Sequence, residues 1–208
     1  APFVSLFWAS LMIGRWTSAA GAFNISSKLK SLLGFTLPFV AFGIFLFVNW
    51  IAGNEMQQFF PYIGLVVLLI IADKLSKGNP VNQIMIYSAV GALAMIIGIF
   101  SSGIISVFAF ISVGLFCSTL WPCIFTLGIA GLKDKTNTAS SLLIMMIMGG
   151  GFVSTLQGAL ASNDLLGIQH SYWVGVVCLA YLFFFAWTVN KKLKKQGVNI
   201  SSTEDVSH

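Results

Sequence analysis

The sequence predicts an all-α integral membrane protein, a bundle of about seven transmembrane helices, and three observations carry that expectation. Hydrophobic residues make up 57% of the 208 and charged residues only 8%, with a mean hydropathy of +0.91. A soluble fold needs a polar skin, and globular chains hold roughly 25% charged residues. The apolar residues gather into seven runs, most of them near the ~20 residues that a helix needs to cross the hydrocarbon core. Ten of the eleven Lys and Arg residues fall after odd-numbered runs, and Arg15 lies within the first.

In chain order the runs are residues 2–23, 32–51, 59–72, 84–100, 104–132, 139–160 and 172–189. Six are comfortably long. The third is short and reaches span length only by adding residues 56–58, so it is expected to tilt, to kink at Pro61 or to insert in part. Barrel strands would alternate polar and apolar residues over ~10 positions, which these runs do not. Helices are the remaining way to satisfy every backbone polar group within one segment in lipid.

The basic residues give orientation. Arg15, Lys28 and Lys30 go with the first run, Lys74 and Lys77 with the third, Lys133 and Lys135 with the fifth, and Lys191, Lys192, Lys194 and Lys195 with the seventh. The loop with Asn54 and Glu55, residues 101–103 and residues 164–170 hold none. Because cytoplasmic loops carry the excess of Lys and Arg, seven crossings are expected, with the N-terminus outside and the C-terminus cytoplasmic. The net charge of +5 then belongs to loops facing anionic lipid, and nucleic acid is not an expected partner. Residues 1–196 read as one transmembrane bundle and 197–208 as a short polar cytoplasmic tail. Ala1 opens the chain inside an apolar run without a charged leader, which reads as part of a longer protein rather than as a signal peptide.

Chemistry-bearing groups are sparse. Cys117 and Cys123 are six residues apart, about 240° around a helix, and share no face for a metal. Cys178 stands in another run, and His170 sits beside Tyr172 and Trp173 in an expected interfacial aromatic belt. There is no HExxH, no paired intramembrane carboxylate and no Ser-His-Asp set, so no cofactor, no metal and no enzymatic activity are expected.

The fifth run holds the most unusual stretch, GLFCSTLWPCIFTLGIAGL at 114–132. Ser112, Phe116, Thr119, Cys123 and Thr126 recur at helical spacing and form one stripe of small and polar groups. Such a stripe either admits a neighbouring helix or lines an aqueous cavity, and the spacing leaves both open. Pro122 lacks an N–H and bends the helix, as a fixed kink or as a flexing point. In the sixth run Gly149, Gly150 and Gly151 weaken the helix at mid-membrane depth, which suits close backbone approach or a hinge. Gln157 beyond them is expected to face protein or water rather than lipid.

Together, Gly14-Arg15 at a helix end, Asp73-Lys74 in an inner loop, WPCIFTLGIAGL at 121–132 and SSLLIMMIMGGG at 140–151 resemble the C-terminal half of the major facilitator superfamily. Within it the chain is similar to the fucose-proton symporter branch, which includes bacterial glucose and galactose permeases. The pattern aromatic-Pro-x-Ile-Phe-x-Leu-Gly-Ile, followed by Ser-Ser-x-x-x-Met-x-x-x-Gly-Gly-Gly, carries the resemblance, best over residues 71–189. Leu120 stands where the fucose symporter has glutamine, and residues 23–70 look like an inserted helix pair.

The resemblance implies a proton-coupled secondary transporter of a sugar or related small polar solute in the bacterial inner membrane, working by alternating access. It implies two six-helix halves, with the N-terminal half in the same polypeptide and carrying the proton-binding acids; Asp73, Glu55 and Asp164 sit at membrane edges. Trp121, Ser118, Thr119 and Gln157 are the expected solute contacts, an indole for the ring and polar groups for its hydroxyls. Packing is the alternative for Trp121. Arg15, Asp73, Pro122, Gly149, Gly150 and Gly151 are the expected moving or gating positions, with Asp73, Lys74 and Arg15 latching the cytoplasmic gate by charge pairing or else standing as loop charges. A non-transporting scaffold or receptor, or a membrane-embedded enzyme, would instead leave uniformly apolar interiors or clustered catalytic groups.

Overall fold

In the computed structural model, which describes residues 2–22, 27–130, 132–162 and 166–196, the apolar runs become helices and no described residue lies in a strand. The helices are α1 (Pro2–Ala22), α2 (Ser27–Ile51), α3 (Tyr62–Ser76), α4 (Pro80–Phe100), α5 (Gly103–Cys117), α6 (Leu120–Ile129), α7 (Thr136–Met145), α8 (Gly149–Leu160), α9 (Gly167–Ser171) and α10 (Trp173–Gln196). Six spans among the described residues are long and apolar enough to cross a membrane: Leu29–Ile51, Gln57–Ser76, Pro80–Phe100, Gly103–Ile129, Thr136–Leu160 and Gly167–Lys192. Helix α1 has 21 residues and makes the seventh helical unit. The protein is a multi-pass membrane protein of helices. The expected tail at 197–208, and Asp164, lie outside the described residues.

The short third run gains length at both ends, by Gln57 and Gln58 on the expected side and by residues 73–76, which the sequence reading places in a loop. A 3₁₀ turn, Gln57–Phe59, precedes α3, Pro61 takes the N-cap position, and the unit spans 20 residues. At the other end Lys77 (φ 53°) and Gly78 (φ 69°) both adopt left-handed backbone, which turns the chain sharply out of α3. Asn79 then caps α4, its Oδ1 accepting from Val81 N at 2.9 Å, and Pro80 occupies the first turn, where a missing N–H costs nothing. This connection brings the end of α3 against the start of α4.

Helix α4 lies at the centre, packing on α10, α5 and α6, while α1 packs on α2 and α5. Tyr87 of α4 meets Phe116 of α5 edge to face at 5.7 Å and 82°. Ser10 of α1 and Tyr62 of α3 share a buried hydrogen bond of 2.5 Å. Gln169 of α9 ties the ends of α4, α5 and α9 together, its Nε2 donating to the Gly98 and Ser101 carbonyls at 2.8 and 2.7 Å. Large apolar side chains, among them Phe47, Trp50, Phe100 and Phe152, point outward, as a lipid solvent allows. The span Thr136–Leu160 stands apart, with no buried residue and α6 as its main neighbour through α7.

Candidate functional site

The stretch that looked unusual in sequence is a broken helix. Helix α5 stops at Cys117 and α6 starts at Leu120, with Ser118 and Thr119 between them. Ser118 Oγ donates back to the Leu115 carbonyl at 2.6 Å, a local bond that competes with the helix ladder, and Pro122 in the first turn of α6 cannot supply an N–H to restore it. Thr126 Oγ1 in turn donates to the Pro122 carbonyl at 2.9 Å.

A glycine decides how close this break lies to α1. A Cβ added at Gly14 would overlap Ser118 Oγ and fall 2.6 Å from the Leu115 carbonyl oxygen. Only a residue without a side chain fits there.

Ser118, Thr119, Trp121 and Gln157, the four expected solute contacts, line neither of the two described cavities. Ser118 is 1% exposed and its hydroxyl is already bonded to Leu115. Thr119 is 2% exposed, and its Oγ1 is a buried side-chain oxygen without a partner among the described residues. Trp121 is 39% exposed, its ring 6.3 Å from Phe125, and Gln157 is half-buried on α8. The polar stripe resolves toward packing: Ser112, Phe116, Thr119 and Cys123 are all buried, and Cys123 Sγ donates to Gln83 Oε1 at 3.3 Å. Described cavities lie elsewhere. One of about 450 Å³ runs between α1 and α2 past Ser5, Met12, Val48 and Asn49, and one of about 350 Å³ lies on α1 between Trp8, Arg15 and Trp16.

The gating positions also differ from expectation. The expected charge pairing of Asp73 with Lys74 and Arg15 is not formed. Asp73 Oδ1 instead accepts from Gln83 Nε2 at 3.5 Å and Tyr87 Oη at 3.3 Å, both on α4, and Lys74 Nζ lies 5.9 Å from the Phe35 ring of α2. Arg15 is exposed and borders the smaller cavity. The physical reason is the tight turn after α3, which aims Asp73 at α4. Gly149, Gly150 and Gly151 open α8 directly after a 3₁₀ turn, Met146–Met148, and added Cβ atoms there would meet nothing within 4 Å. Among the described residues no other helix approaches these glycines closely, whereas an interrupted helix is present.

Sequence reasoning missed Gln83, one residue before the fourth apolar run, and Tyr87, which read as an ordinary residue within it. The available signal was an amide and a phenol four residues apart, on one helical face within a span. Among the described residues no group of His, Cys, Asp and Glu could hold a metal.

No family model matches the chain, and no solved structure matches it. Curated proteins do. It is 34% identical over 96 residues to the glucose/galactose transporter of Brucella abortus, covering 46% of this chain and 23% of that protein. It is 30% identical over 112 residues to the L-fucose-proton symporter of Escherichia coli, covering 54% and 25%, and 24% identical over 129 residues to that of Haemophilus influenzae, covering 60% and 30%. The match thus spans between a quarter and a third of the length of these relatives, or slightly less. Over about half of its own length this chain is homologous to these named transporters and symporters, consistent with the C-terminal half of a major facilitator superfamily transporter.

Proposed function

We propose that this chain is the C-terminal part of a secondary active transporter that moves a sugar or related small polar solute with protons, by alternating access. The homology to sugar transporters and symporters carries the reading. Its site would lie where the broken α5–α6 span meets the remaining, N-terminal half of the same polypeptide. There the exposed Trp121 indole would pack on the C–H face of a sugar ring, and the amide of Gln157 would answer its hydroxyls. Thr119 supports the same reading, since a buried hydroxyl without a partner needs an explanation and a solute hydroxyl reaching it on opening supplies one. Ser118 would set the bend beside them. Arg15, Asp73, Pro122 and the Gly149–Gly151 run would serve the movement, Pro122 and the glycines as the flexing points of two interrupted spans. The setting is the bacterial inner membrane with the C-terminus in the cytoplasm.

Transport by the full-length protein tests this. Expressed in cells lacking their own uptake systems, it should accumulate labelled glucose, galactose or fucose, and a protonophore should abolish accumulation. Uptake no better than in empty cells for any monosaccharide would overturn the proposal.

A further inference from the structure

We propose that the groove between α1 and the last turns of α2 is a lipid site: it seats an acyl chain of a membrane phospholipid, whose glycerol-ester region is hydrogen-bonded by the paired amides of Asn49 and Asn54. The site stands on α1, α2 and the turn after α2, and is independent of the transport reading above.

Small residues open the groove. Ser5 and Ala9 of α1 stand one turn apart, and opposite Phe45 and Val48 of α2 they leave a space of about 450 Å³. That volume falls within the range of small-molecule sites, about 300–1,000 Å³. From Pro2 to Met12 the groove follows about 15 Å of α1 at 1.5 Å per residue, which is one leaflet's share of a hydrocarbon core ~30 Å thick. Its walls between the ends are apolar, from Ala9 and Met12 on one side and Ile44 and Val48 on the other. A sugar hydroxyl would find no partner along them, whereas an acyl chain matches them in length and chemistry.

The polar groups gather where α2 ends. Asn49 is 5% exposed yet lines the groove, within a span that closes at Ile51. Gly53, in left-handed backbone (φ 74°), folds the chain back so that Asn54 N donates to the Asn49 carbonyl at 3.0 Å and Asn54 Nδ2 donates to Asn49 Oδ1 at 3.1 Å. Asn49 Nδ2 donates to the Phe45 carbonyl at 2.9 Å. An amide has two N–H donors and an oxygen with two lone pairs, so one N–H on each residue and the whole of Asn54 Oδ1 have no protein partner among the described residues. Donors at the boundary of a span, at the head of an apolar groove, meet the ester carbonyls of a lipid whose chain lies below them. The charges select the head. Neither Pro2–Met12 nor residues 44–58 hold a Lys or Arg, and Glu55 follows Asn54, so a head that is neutral overall fits and an anionic one does not.

The test uses the full-length protein in phosphatidylcholine nanodiscs doped with a phosphatidylcholine that carries a diazirine in its acyl chain, with cross-links mapped by mass spectrometry. Phe47 and Trp50, exposed on α2 but outside the groove, serve as the reference surface. Labelling at Ala9, Met12, Ile44 and Val48 should exceed the reference about tenfold. Ser5→Phe, at an exposed position, places a ring in the groove and should bring its labelling down to the reference level; Ala52→Phe, exposed on the opposite wall, should do the same if Ser5→Phe does not fold. Asn54→Leu should lower groove labelling about fivefold, the effect of losing a hydrogen bond. Equal labelling of groove and reference in wild type would show ordinary annular lipid and overturn the site. Absence of groove labelling, which would show that protein covers it, or wild-type labelling in both filled variants would overturn it as well. Unchanged labelling in Asn54→Leu would overturn the amide contact, and tenfold stronger labelling by a phosphatidylglycerol probe of the same chain would overturn the neutral head.

Discussion

Gly14 and Trp121 are opposite cases of what one residue can decide. At Gly14 a single added methyl collides with a serine and with backbone, so Gly14→Ala should destabilise the protein by about 1–3 kcal/mol, read as a lower thermal midpoint in detergent. An unchanged midpoint would mean that α1 can shift without cost. At Trp121 the exposed ring contributes little to this chain's own packing, so Trp121→Ala should leave expression and the thermal midpoint near wild type. Apparent sugar affinity should nevertheless fall about tenfold, the equivalent of ~1.4 kcal/mol, with Trp121→Phe losing only part of it. Equal affinity in all three would place the ring against lipid or the other half instead. Gly14 was noticed in sequence only as half of a Gly-Arg pair. Its partner, Ser118, is 104 residues away, and nothing local announces such a contact.

At the scale of elements, the two interrupted spans behave differently. The break between α5 and α6 has buried side chains on both sides, whereas the Met146–Met148 turn has none and Cβ atoms added at the glycines after it would meet nothing within 4 Å. Replacing Gly149, Gly150 and Gly151 together with alanine adds about 1 kcal/mol of helix preference at each position and meets no clash in this chain. Sugar affinity and membrane insertion should persist while turnover slows several-fold, measured as zero-trans uptake against exchange. Unchanged turnover would show that the interruption is incidental. The third run illustrates a boundary that was half legible: its shortfall could be counted, and Gln57 and Gln58 make up part of it as expected, but residues 73–76 supply the rest. The Asp73 environment was not legible, because a carboxylate followed by lysine at a helix end looks like a solvated loop charge until the turn after it is built.

For the molecule as a whole, topology is the quantity the basic residues predict. Single cysteines introduced at Ser102 and His170 should react with a membrane-impermeant reagent in intact cells, and one at Lys135 should react only after lysis. Labelling of the Lys135 position from outside would invert the assigned orientation. The same scale explains the bare surface of the Thr136–Leu160 span. It has no buried residue within this chain, and the relatives are three to four times longer than the matched stretch, so its neighbours belong to protein beyond the matched region or to lipid.

The sequence by itself determined the solvent, the secondary structure and the approximate spans, since apolar composition and run length act locally and lipid admits little besides helices. It also marked where the fifth and sixth spans would be interrupted, because proline and glycine act on their own backbone. Only the tertiary structure decided that the polar stripe from Ser112 to Cys123 is packed rather than open, that Ser118 lies against Gly14, and that Asp73 turns to Gln83 and Tyr87 rather than to a cation. Each of these depends on which helix face meets which. Helices that are apolar on nearly every side carry weak facing information in their sequence, so the choice of face falls to small residues, single hydrogen bonds and two-residue turns acting between distant parts of the chain.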